Sequence, residues 1–131
     1  MSETGDKGGA ALQPNAEMAA LRLRIDALDE TLVKILAERQ RQIKQAAAIK
    51  TRIGWPARIP PRVDEVLERV AAEAGRKNLD ADLARKLWTA MIEWSIAYEE
   101  RLMKAAAAEA NARPARANQG APRGGEETEP R

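Results

Sequence analysis

From Leu21 onward, apolar positions recur at alternating steps of four and three: Leu21, Ile25, Leu28, Leu32 and Ile35/Leu36. That spacing draws one stripe along a helix, and such a stripe packs against other helices. The register then runs on through Arg39, Ile43, Ala46 and Lys50, so two cations stand where the pattern asks for leucine. Asn15 is placed to cap this helix, and no proline or glycine interrupts it before Gly54. The pattern therefore predicts one helix of about 55 Å at 1.5 Å per residue. Past the loop Trp55-Pro56-Ala57-Arg58-Ile59-Pro60, Pro61 suits the first position of a second helix. Val63, Val66, Leu67 and Val70 face inward on it, and Gly75 closes it. Asp80 or Asp82 caps a third helix from about Ala81 to Ala110. Its inward set is Leu83, Leu87/Trp88, Met91, Trp94/Ser95, Tyr98/Glu99 and Leu102. Residues 1–14 and 111–131 are rich in Gly, Pro and polar groups and are expected to be disordered around a single helical domain at 15–110. The first helix is too long for the other two to cover, and a second copy of the chain is the obvious cover.

Composition narrows the chemistry. The chain has 131 residues, no phenylalanine and one tyrosine, so the core is aliphatic and alanine-rich. Basic and acidic residues, 22 and 20, are interleaved, leaving a net charge of +2 and no basic stripe of the kind nucleic-acid binders carry. With neither cysteine nor histidine, thiol nucleophiles, disulfides, imidazole bases and nearly all transition-metal sites are excluded. Any catalysis has to use arginine, lysine, carboxylates, hydroxyls and backbone. Residues 1–16 contain no apolar segment of a signal peptide, and no apolar run approaches the ~20 residues of a membrane span. The chain reads as soluble and cytoplasmic.

Arg39 and Lys50 lie eleven residues apart, about three turns, and so share a helix face. The third helix repeats the anomaly, because Ser95 and Glu99 replace core residues one turn apart. Either Glu99 forms a buried ion pair with Lys50 or Arg39, with Ser95 as a small residue tolerated in the core, or the four groups surround a polar anionic ligand. Arg22 is set roughly 100° around the helix from Arg39 and cannot face the same pocket from the same segment. Arg58 and Arg62 flank the Ile-Pro-Pro loop, within reach of a site near Lys50, although loop arginines are usually solvent-facing.

The string LRLRIDALDETLVKILAERQRQIKQAAAIK, then KTRIGWP, Arg62, NLD at 78–80 and IEWSIAYEE at 92–100 resemble the all-helical chorismate mutases, a family that includes the isochorismate-pyruvate lyases. The resemblance covers about residues 17 to 105. It implies an all-α, domain-entwined homodimer of three-helix chains in which the long first helices lie side by side. Carried over by position, Arg39 and Lys50 belong to their own chain's site, Arg22 reaches into the partner's, Arg62 assists, and Ser95 and Glu99 complete the wall. The implied substrate is a small dianion, chorismate or a close analogue, rearranged to prephenate without metal or cofactor. Glu99 stands where glutamine is usual, and Ile59 and Val63 stand where acidic residues are expected near the substrate hydroxyl. These departures lean toward the lyases, whereas the Lys50-to-Arg62 spacing matches the mutases. An aminochorismate mutase and a non-catalytic helical binding protein are the further alternatives.

Overall fold

The structure, a computed structural model, describes residues 15–112, which form three helices and no strand. The expected N-terminal tail and residues 113–131 of the C-terminal one lie outside the described residues, while Asn111 and Ala112 end the third helix instead of opening a disordered tail. Helix α1 spans Ala16–Ile53 and begins as the cap residue dictates, with Asn15 Oδ1 accepting the Met18 N–H at 2.7 Å. It ends at Gly54, whose φ of +77° is the left-handed conformation that lets Trp55 N–H bond back to the Lys50 carbonyl at 2.9 Å.

Helix α2, Pro60–Arg76, starts one residue before the expected Pro61. Ile59 is its extended N-cap residue, and its carbonyl accepts the N–H groups of Arg62 and Val63 at 2.9 and 3.1 Å. Two consecutive prolines fit there because the first N–H groups of a helix have no intrahelical acceptor to lose. The far end corrects the sequence reading. Gly75 is inside the helix, and Asn78 takes the left-handed conformation at φ +60°. Leu79 N–H then reaches the Ala74 carbonyl at 2.8 Å, the closing bond of a Schellman motif. Asparagine tolerates that conformation better than other residues with a Cβ, so it competes with the glycine three positions earlier. Helix α3, Ala81–Asn111, is capped by Asp80, whose Oδ1 accepts the Leu83 N–H at 3.0 Å.

The described chain divides into two units, one up to Arg39 and the other from Gln40 onward. In the first, Leu21, Ile25, Leu28, Leu32, Ile35 and Leu36 are all exposed, between 40% and 64%. In the second, Ala57, Ile92 and Ile96 form the buried core, with Val63, Val66, Leu67 and Met103 packed against it. Ala47, Ala74 and Ala84 are also buried. The inward stripe of α3 contains most of the expected one, with Ser95 and Glu99 buried and Trp88, Met91, Tyr98 and Leu102 half-buried, but its edges differ. Leu83, Leu87 and Trp94 are exposed while Ala84, Ile92 and Ile96 are buried. A helical period marks an apolar arc, but which edge of a wide arc meets α2 depends on residues far away in sequence. No described helix is long and apolar enough to cross a membrane.

Candidate active site

Lys50 lies in the last turn of α1, four residues before the glycine that ends it. Its ammonium donates two hydrogen bonds of 2.7 Å, one to Glu99 Oε1 on α3 and one to the backbone carbonyl of Ala57 in the connecting loop. An ammonium has three protons, so one donor remains after these two bonds. Glu99 is 4% exposed and Ser95, one turn earlier on α3, is 5% exposed; they are the only buried polar side chains among the described residues. Sequence spacing offered two cations as partners for Glu99, and Lys50 is hydrogen-bonded to it. A carboxylate at this depth is costly without such a partner.

The remaining expected site residues are placed as follows. Ile59 is half-buried at the start of α2. Val63 packs against the Ala57–Ile92–Ile96 cluster, which gives it a core role beside any contact with a ligand. Arg62 is exposed and donates to Glu65 Oε1 at 2.9 Å, and Glu65 also accepts from Arg69 at 3.2 Å. The Arg62 hydrogen bond, more than any other influence, holds the Glu65 carboxyl below the usual carboxylate range. In the other unit, Arg39 is half-buried and Arg22 is exposed. Among the described residues, no group of three or more acidic side chains comes together as metal ligands.

Sequence reasoning missed two parts of this centre. One is the Ala57 carbonyl, for which no side-chain pattern exists. The other is the partner of Arg58, whose Nη1 and Nη2 form a bidentate pair with Glu93 Oε2 and Oε1 at 3.0 and 2.6 Å. That hydrogen bond is the main reason the guanidinium is raised and the carboxyl lowered from their ordinary values. The only sequence signal was an arginine beside the loop, because its partner lies 35 residues away.

A half-buried lysine is thus paired with a buried glutamate one turn from a buried serine, in a chain with no histidine or cysteine. The model of the family described as chorismate mutase type II matches residues 21–100, a span that contains all of these groups. The chain belongs to that family. Its relatives include the chorismate mutase of Methanocaldococcus jannaschii, 27% identical over 88 residues, which are 67% of this chain and 89% of that protein. The bifunctional chorismate mutase/prephenate dehydratase of Escherichia coli K12 is 32% identical over 87 residues, 66% of this chain and 22% of that protein. The T-protein of Enterobacter agglomerans is 34% identical over 68 residues, 52% of this chain and 18% of that protein. The chain thus matches most of the archaeal enzyme's length and about a fifth of each of the two longer proteins.

Proposed function

We propose that this chain is a chorismate mutase, rearranging chorismate to prephenate in one cyclic step in which an ether C–O bond breaks as a C–C bond forms. No proton or electron has to be exchanged with the protein, which suits a chain without imidazole or thiol. The protein's tasks are to hold the reactive conformer and to stabilise negative charge developing on the ether oxygen. The observation that carries this reading is Lys50, which has two protons committed to Glu99 and Ala57 and one left to donate to that oxygen. Arg39 and Arg62 serve as clamps on the two carboxylates, a task for which a planar guanidinium is suited. Ser95 and Glu99 form the opposite wall.

The reading includes a homodimer. The exposed leucine seam of α1 is the surface a second copy covers, and Arg22 serves the partner's site rather than its own chain's. Ile59 and Val63 favour a second reading, an isochorismate-pyruvate lyase, because neither can accept a hydrogen bond from a substrate hydroxyl; the two activities differ in their product.

Truncating Lys50 alone leaves Glu99 buried and uncompensated, so the direct test combines Lys50→Ala with Glu99→Gln. That double variant keeps its fold and loses roughly 10²–10³-fold in kcat/KM, the usual cost of a charged donor aimed at a transition state. A folded double variant with undiminished turnover would mean that the pair is only structural.

A further inference from the structure

Lys50 is tied to the loop after α1 at two points. Its own carbonyl accepts the Trp55 N–H at 2.9 Å, and its ammonium donates to the Ala57 carbonyl at 2.7 Å. The direction of the remaining ammonium proton therefore depends on where the loop sits. The loop itself is held to α3 by two neighbouring contacts. The Ala57 side chain is buried with Ile92 and Ile96, and the next residue, Arg58, forms its bidentate pair with Glu93, the residue after Ile92. A methyl group in an aliphatic cluster fixes depth but not rotation of the peptide. Two parallel N–H···O bonds fix both, which is the geometric value of the arginine–carboxylate fork.

We propose that Arg58 and Glu93 are positioning residues for Lys50, holding the Ala57 carbonyl where it aims the ammonium at the ligand. The pair's side chains are 47% and 54% exposed, and a solvent-exposed ion pair contributes little to folding. Its conspicuous geometry is thus explained better by what it orients than by what it stabilises. The inference rests on the catalytic role given to Lys50 above. It assigns no substrate contact to Arg58, which acts through the peptide that follows Ala57.

The test separates aim from binding. Arg58→Ala and Glu93→Ala each lower kcat between about 10- and 100-fold, as small misplacements of a reacting group do, with KM nearly unchanged. The double variant is no worse than either single one. In free protein, the two ε-methylene protons of Lys50, assigned by their loss in Lys50→Ala, give separate NMR signals while the side chain is fixed and merge in both variants. Glu93→Gln, which keeps the shape and removes the charge, gives an intermediate result and serves if an alanine variant fails to fold. A raised KM in Arg58→Ala with normal Glu93→Ala kinetics would make Arg58 a direct substrate ligand and overturn the proposal. Unchanged kcat with unmerged Lys50 signals would overturn it too. If Lys50→Ala itself retained full turnover, the catalytic reading would fall, and the NMR signals would still report whether the pair fixes Lys50.

Discussion

Glu99 accepts a hydrogen bond from Lys50 at 2.7 Å with almost no solvent contact, and its protonation state decides what else it can do. An ionised carboxylate is acceptor-only and would repel charge growing on an ether oxygen; a protonated one donates. Glu99→Gln supplies a neutral side chain of nearly the same shape that can donate to that oxygen, and it separates the two roles: a folded glutamine variant that keeps its kcat/KM makes a donor at this position sufficient, whereas a folded but inactive one makes Glu99 the ionised holder of Lys50. Ser95 and Glu99 were legible in the sequence as polar interruptions of an apolar stripe, and so was their possible pairing with a cation. The Ala57 carbonyl and the Arg58–Glu93 fork were not, because one lacks a side-chain signature and the other joins residues far apart in the chain.

Helix ends were legible wherever a single residue controls them. Asn15, Gly54 and Asp80 act within one turn of themselves, and each does what its chemistry predicts. The end of α2 was misread because two candidates compete, and Asn78 rather than Gly75 takes the left-handed position. The face of α3 was legible in its middle, from Trp88 to Glu99, but not at its edges, because spacing shows an arc without its partner. Trp94, on the exposed edge, stacks on Tyr98 at 4.8 Å between ring centres, with Arg101 over the Tyr98 ring at 5.6 Å. The last turn of α2 makes a pH-dependent prediction. Glu73 accepts from Lys77 and from Arg76, and these bonds, Lys77's first, lower its carboxyl from 4.5 to about 2. With the folded value below the unfolded one, the stabilisation is present above about 4.5 and is lost as pH falls through about 2. Solvent screening keeps it small. Glu73→Gln therefore lowers the thermal midpoint slightly at neutral pH. The difference from wild type shrinks with added salt and with acidification, as scanning calorimetry can follow.

Across the whole molecule, the imbalance is between apolar surface and cover. The six seam residues from Leu21 to Leu36 are exposed in a single chain, an apolar row along one helix of the kind that marks a protein–protein contact. Light scattering should give about twice the 14.4 kDa chain mass; a stable monomer would remove both the dimer and the crossing role of Arg22. Mixed dimers test that role separately. Arg22→Ala and Arg39→Ala homodimers are each inactive, whereas a mixed dimer regains one intact site because both changes fall in the other. No recovery after verified subunit exchange would rule out the shared geometry. The claim on which all of this depends is the reaction itself. Incubating the purified chain with chorismate and, separately, with isochorismate, then identifying the products, tests it most directly. The account predicts prephenate from chorismate with no metal or cofactor added. Salicylate and pyruvate from isochorismate, or turnover of neither compound, would contradict it.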